Sequence, residues 1–308
     1  MSKVAVQLLS WNGEKHLRAC LSSLAKQTFS DFELLVLDNG STDASVSIIE
    51  DALKNFPRPA RFIRSEKNLG FAGGHNALFE LTQSKYVFCV NQDVALADDY
   101  LEKIIGFIDK NPGVGSASGV LRHEDGSIDT AGLAKNWYEK VYDIIHAPSE
   151  SETRVFGVSG ALPVYRRAAA LDVSPDGKLF DENFVSYKED ADLAWRLNIF
   201  GWSSFVLSEA EALHERGFGA DKKWKASHYA KQKMSSRNHL LTLTKDLSSA
   251  EMWRLPIIVF YELGKIAYLA VFVPKALGYL PDFFRLLPQT LKVRKVIWQR
   301  LKAAKKNG

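Results

Sequence analysis

Four short apolar runs early in the chain, separated by stretches with helical spacing, limit the fold more than any other feature. Lys3 to Leu9, Phe32 to Leu37, Arg61 to Arg64 and Tyr86 to Val90 read as strands, the third being the weakest. Between them, Glu14 to Gln27 sets Leu17, Cys20, Leu21 and Leu24 on one helical face. A second helix runs through Phe56, with Ser41 or Thr42 placed to cap it, and a third is expected from about His75 to Gln83. Strands alternating with helices of about a dozen residues predict an α/β fold with a doubly wound, Rossmann-like sheet, parallel in this half. Ligands of such sheets sit in the crevice beyond the carboxyl ends of the strands. Polar clusters stand there: Ser10-Trp11-Asn12-Gly13, Asp38-Asn39-Gly40-Ser41-Thr42-Asp43 and Asn91-Gln92-Asp93.

The second half is less regular. Asp98 to Lys110 reads as a helix stopped by Asn111-Pro112-Gly113, and Val114 to Leu121 as an extended run. Arg122 to Gly132 is rich in turn residues, and Asn136 to Ser151 reads as a loop. Val155 to Val164 is apolar, with small residues around Ser159-Gly160-Ala161. A helix from Asp190 to Phe200, a strand from Ser203 to Leu207 and a long polar helix from Asp221 to Lys245 follow. Residues 1–220 are expected to form one domain, with 1–95 and 96–220 as its two halves; 221–308 are expected to form a helical C-terminal region.

A hydrophobic content of 46% with 25% charged residues excludes a disordered chain. Cys20 and Cys89 lie in apolar patterns, outside any Cys/His cluster, and read as reduced core thiols. The net charge of +4 is unevenly spread: from Trp253 onward eleven Lys/Arg face two acids, so the residues before it are net acidic. A basic tail beside apolar runs points to an anionic membrane surface rather than to nucleic acid. Leu255 to Tyr261 and Ile266 to Pro274 are apolar but are separated by Glu262 and Lys265 and punctuated by Pro256, Pro274 and Pro281. A spanning helix needs about 20 predominantly apolar residues, so a segment lying in the interface fits better than a clean span. The other reading is a buried helical subdomain with a solvated tail. After Met1-Ser2-Lys3 the chain enters a strand at once, without an export signal.

Several acids and one histidine stand where chemistry is possible. Asp38 ends the second strand, where a carboxylate accepts a hydrogen bond from a ribose hydroxyl or a pyrimidine N3–H; a turn aspartate is the plainer reading. Asn91 and Asp93 lie two apart at the end of the fourth strand. One carboxylate together with diphosphate oxygens holds Mg²⁺ or Mn²⁺; capping the next helix is the plainer alternative. The loop from Asn68 to Gly74 lets backbone approach a ligand, or is simply a tight turn. Glu189-Asp190-Ala191-Asp192 opens a helix, which favours acids in any case, and also offers a general base. His214 is a metal or diphosphate contact, or a structural histidine.

In chain order these segments resemble the family-2 inverting glycosyltransferases of the GT-A fold, and among them the bacterial rhamnosyltransferases of surface polysaccharides. The carriers are Leu8-Leu9-Ser10-Trp11-Asn12-Gly13, Val36 to Asp43, Asn68 to Asn76, Asn91-Gln92-Asp93, Ser159-Gly160-Ala161, Lys188 to Leu193 and His214. The resemblance implies that Ser10, Trp11 and Asp38 hold the nucleotide base, while Asn68, Gly70, Gly73, Asn91 and Gln92 border the nucleotide sugar. It makes Asp93, with His214, the metal-binding group and Asp190 the catalytic base, supported by Glu189; Ser159 and Gly160 face the acceptor. It also implies a donor, dTDP-β-L-rhamnose or a UDP-sugar, and a saccharide acceptor carried on lipid. The enzyme is then expected in the cytoplasm, on the inner face of the plasma membrane. Asn91-Gln92-Asp93 keeps a single carboxylate, so the donor diphosphate has to complete the metal site. Lys188 stands where relatives often carry an aromatic residue. A nucleotidyltransferase would need a basic glycine-rich loop after the first strand, and Ser10 to Gly13 holds no basic residue. The set Asp38, Asp93 and Asp190 argues against a non-catalytic nucleotide-sugar-binding scaffold.

Overall fold

A computed structural model describes residues 1–215 and 223–307. The first half alternates as expected: β1 (Val4–Ser10), α1 (Leu17–Ala25), β2 (Phe32–Asp38), α2 (Ser45–Lys54), β3 (Ala60–Arg64), α3 (Gly70–Glu80) and β4 (Tyr86–Asn91). There follow β5 (Val94–Leu96), α4 (Tyr100–Lys110), β6 (Val114–Arg122), β7 (Ile128–Thr130), β8 (Leu133–Lys135), β9 (Val141–Asp143), β10 (Glu152–Val155), β11 (Val164–Arg166) and α5 (Arg167–Val173). The last elements are α6 (Glu189–Ile199), β12 (Ser203–His214), α7 (Lys223–Asp246), α8 (Leu255–Phe272) and α9 (Tyr279–Asn307).

The main sheet runs in the order β10-β12-β6-β11-β4-β1-β2-β3. β1 is central to the first half and pairs in parallel with β2 and β4. Its alternating side chains enter two cores, Val4, Val6 and Leu8 on one face and Ala5 on the other. Helices cover both faces, which is why the strand is apolar up to Leu9 apart from the buried Gln7. β11 runs antiparallel between β4 and β6, so the sheet is mixed.

Several boundaries differ from the sequence reading. α3 starts at Gly70, so the expected glycine loop is largely the first turn of that helix. Gly74 packs directly on β1: a Cβ there would lie 2.5 Å from Leu9 Cδ1. Neither Ser41 nor Thr42 caps α2; the Asp43 carboxylate accepts from the Ser45 amide instead. β12 continues past Leu207, through a register shift before Glu211, to His214. The segment expected to be a loop from Asn136 holds β9, which pairs with β8.

Asp221, the expected start of the long polar helix, and the 220/221 boundary lie outside the described residues. From Lys223 onward α7 packs against α6 and α9. Lys245 is buried and pairs with Asp181 at 2.7 Å and with Asp192, which Arg196 also holds at 2.9 Å. In α8 the two charges that interrupt the apolar run turn inward. Glu262 is buried against His239 of α7 at 3.2 Å and meets Lys265 at 3.5 Å. The outward face carries Ile257, Phe260, Leu263, Val271 and Phe272, with Phe260 81% exposed. By length and composition Ser249–Phe272 is able to cross a membrane.

Candidate active site

Parallel register sets Ser10 beside Asp38 and Leu9 beside Asn91, so three polar strand ends share one edge. Ser10 and Asp38 are both buried. Asp38 Oδ2 accepts from the Ser41 amide at 3.1 Å, whereas Asp38 Oδ1 and Ser10 Oγ have no partner among the described residues. A buried polar atom left unpaired costs about 1–3 kcal/mol. Two of them at adjacent strand ends fit a ligand that brings its own donor and acceptor. The following turn is pinned from β4's end. Gln92 Oε1 accepts from the Trp11 amide at 2.9 Å, and Gln92 Nε2 donates to the Trp11 carbonyl at 3.0 Å. Asn12, with φ +49°, ties this turn to Ser41 and Thr42. Gly13 has no room for a side chain, since a Cβ would lie 2.2 Å from Gln92 Oε1. The Trp11 ring is left half exposed at the rim.

Asn39, which the sequence reading did not assign a role, joins two of these loops. Its Nδ2 donates to Asn68 Oδ1 and to the Gly70 carbonyl, and its Oδ1 accepts from the Leu69 amide. Asn68 Oδ1 also accepts from the Gly70 amide at 2.7 Å. Gly70 has φ +74°, and a Cβ there would meet Val185 at 2.7 Å. Glycine is therefore required at 70 by backbone conformation and close approach together. Gly73 lies one helical turn on, where a Cβ would press on Leu69 at 3.3 Å.

Asp93 does not cap a helix: β5 follows it, and α4 begins only at Tyr100. β5 pairs antiparallel with the end of β12, Val94 opposite His214, and this brings the two candidate ligands together. His214 Nε2 lies 3.4 Å from Asp93 Oδ1, and its Nδ1 lies 2.7 Å from Asp129 Oδ2. Burial alone would push the imidazolium down, but hydrogen bonds to Asp129 and Asp93 outweigh it and hold His214 up to about 9. Glu215 donates its amide to the Asp93 carbonyl and its carboxylate meets His16 Nδ1 at 2.7 Å. Among the described residues, no group of three or more His, Cys, Asp or Glu is arranged to hold a metal ion. The donor pair fits one on loss of a proton: Asp129 occupies Nδ1, so an Nε2 freed of its proton would face the Asp93 carboxylate as a nitrogen and an oxygen ligand for one cation. Asp129 carried no signal in the sequence, because β7 is short and its partner is distant in the chain.

The acid cluster opens α6. Asp190 Oδ2 accepts from the Gly160 amide at 2.9 Å, so Gly160 holds the carboxylate. Ser159 beside it is buried. The Ala161 carbonyl accepts from the Asn91 amide at 3.0 Å, so the end of β4, two residues before Asp93, is bonded to the residue that follows Gly160. Glu189 is buried; desolvation first, and the neighbouring Asp190 charge second, raise its carboxyl to about 8. At neutral pH Glu189 is therefore a neutral carboxylic acid beside the half-buried Asp190. A carboxyl whose pKa is raised on folding binds a proton in the native state that the unfolded chain has released, so stability declines as pH rises between the two values. Wild-type stability should therefore fall from about pH 5 to about pH 8. Glu189→Gln should flatten that decline without unfolding the protein; urea midpoints across the range test it, and parallel curves would contradict it.

The sequence pattern of the family described as Glycosyl transferase family 2 matches residues 7–172, more than half of the 308. The N-acetylglucosaminyl-diphospho-decaprenol L-rhamnosyltransferase of Mycobacterium tuberculosis is 25% identical over 253 residues, covering 73% of this chain and 80% of that protein. Two Staphylococcus epidermidis relatives are matched over less than half of their length: 15% of a teichoic acid poly(glycerol phosphate) polymerase and 46% of a poly-beta-1,6-N-acetyl-D-glucosamine synthase. Of solved structures, S. aureus TarS 1-349 in complex with UDP-GlcNAc overlays 99% of this chain and 90% of that one, with a TM-score of 0.58 at 18% identity. GalNAc-T7 with UDP, GalNAc and Mn2+ overlays 80% of this chain and 48% of that one, with a TM-score of 0.62 at 13% identity. The mixed sheet flanked by helices is the GT-A fold that the resemblance implied, and the chain belongs to glycosyl transferase family 2.

Proposed function

We propose that this glycosyltransferase moves L-rhamnose from dTDP-β-L-rhamnose, with inversion, onto a saccharide carried on lipid. The observation that carries the donor reading is the pair of buried, unpartnered atoms Ser10 Oγ and Asp38 Oδ1, which suit the polar edge of a pyrimidine nucleotide. The choice of rhamnose rests on the mycobacterial relative, whose name states L-rhamnosyl transfer and which is matched over most of its length. A UDP-sugar is the second reading, since the overlaid structures hold UDP or UDP-GlcNAc and Asp38 would read uracil and thymine alike.

In this mechanism Ser10, Asp38 and the Trp11 rim hold the nucleotide. Gly160 orients Asp190, and Glu189, kept protonated by burial, lies beside it. Asp190 takes the proton of an acceptor hydroxyl. The oxygen forms its bond to the anomeric carbon as the bond to the diphosphate breaks on the opposite face, and the nucleoside diphosphate leaves. Mg²⁺ or Mn²⁺ would be held by Asp93 and His214 Nε2 and, when bound, supplies positive charge where the leaving diphosphate gains negative charge. Incubation with dTDP-β-L-rhamnose, UDP-GlcNAc and other UDP-sugars, with Mn²⁺ and a lipid-linked saccharide, tests the donor. Turnover is expected with the first, and turnover with UDP-sugars alone would favour the second reading. Asp190→Asn should lower transfer about 10²–10⁴-fold, the usual contribution of a general base, with nucleotide affinity retained. Undiminished transfer would remove Asp190 from that role.

The outward face of α8 and the basic tail would keep the enzyme at the cytoplasmic face of the plasma membrane, where lipid-linked acceptors are reached. The inward pairing of Glu262 and Lys265 supports this, because it frees the opposite face of charge. Phe260→Asp with Val271→Asp, both on exposed positions, should release the folded protein from phosphatidylglycerol vesicles in a sedimentation assay. Undiminished binding would count against the interface.

A further inference from the structure

Residues 183–188 connect the two parts of the site, and their backbone is strained. Three of the five non-glycine residues with positive φ among the described residues lie here: Val185 at 63°, Tyr187 at 69° and Lys188 at 71°. For a β-branched residue such as Val185 this is a true outlier. Such conformations persist only where the surroundings over-determine them, and they gather at functional sites.

What holds the segment comes from the C-terminal region. Asn238 of α7 is fully buried, and its Nδ2 donates to the carbonyls of Phe184 at 2.9 Å, Ser186 at 3.0 Å and Tyr187 at 2.7 Å. Arg237 beside it donates to the carbonyls of Asn183 and Phe184. On its other side the segment meets the start of α3. The Val185 carbonyl accepts from the Ala72 amide at 3.0 Å, Ser186 Oγ accepts from the Phe71 amide at 3.3 Å, and Val185 fills the space that a Gly70 side chain would need. Lys188 then precedes α6, and its carbonyl accepts from the Asp192 amide at 3.0 Å. Asp190 is therefore the second residue of a helix preceded by a turn in which the buried Asn238 amide reaches three carbonyls.

We propose that Asn238 is a positioning residue for sugar transfer: by binding three carbonyls of the turn before α6 it sets Asp190 against the acceptor hydroxyl, making α7 a working part of the active site. This rests on the reading of Asp190 as the base. A misplacement of about 1 Å costs on the order of 10²-fold in rate. Asn238→Ala should lower kcat by about that factor while the affinity for UDP and dTDP, measured with Mn²⁺, moves less than about threefold, because Ser10 and Asp38 lie in the other half. Asn238→Ser, which keeps one donor, should fall between; if the alanine variant does not fold, the serine variant is read by the same criteria. In an Asp190→Asn background Asn238→Ala should cost nothing further, the non-additivity expected of two residues acting as a unit. A folded variant with wild-type kcat, a parallel loss of nucleotide affinity, or a full further loss in the Asp190→Asn background would each overturn the inference. Undiminished turnover by Asp190→Asn alone would instead remove the base assignment, and it is read on that single variant.

Discussion

Parallel pairing of β1 with β2 and β4 sends three strands in one direction, so their carboxyl ends meet on one edge of the sheet. Polar residues placed there cannot be buried among apolar side chains or paired within the ladder; they are available to a ligand. Ser10, Asp38 and Asn91 occupy those ends, and their loops are bound to one another by Gln92, Asn12 and Asn39. The fourth component arrives by a different route. β11 runs antiparallel beside β4, and the Gly160-Ala161 backbone before it carries Asp190 to the same edge.

Electrostatics then separates groups of similar type into different roles. Glu189 and Asp190 are adjacent, yet burial keeps the first protonated while the second lies half exposed with its carboxylate on a backbone amide. Asp93 and His214 meet because a three-residue strand, β5, folds back on the end of β12. The site is thus assembled from the central sheet, a short hairpin and a helix start, with α7 behind the last of these.

Much of this was legible in the sequence, for physical reasons. Strands covered on both faces are mostly apolar, interrupted here by Gln7 in β1 and Glu33 in β2, so β1, β2 and β4 stand out. Acids at the ends of such strands are conspicuous because little else there is charged. What was hidden depends on contacts across the chain. Asp129 meets His214 across 85 positions, and Asn238 reaches carbonyls more than 50 residues away, so no local pattern announces either. Gly70 and Gly74 suggested a ligand loop, but close approach to Val185 and Leu9 is what excludes a side chain at each. Glu262 and Lys265 seemed to break an apolar run, whereas Glu262 meets His239 on another helix and Lys265 in turn meets Glu262, so both charges turn inward.

The central claim is that one carboxylate, Asp190, drives a single displacement at the anomeric carbon. Proton NMR of the reaction as it proceeds, with the sugar nucleotide that turns over, tests this most directly by reporting the anomeric configuration of the first product formed. The account predicts inversion, an α-rhamnoside from dTDP-β-L-rhamnose. A product that keeps the donor's configuration would require a second displacement or another nucleophile, and would contradict it.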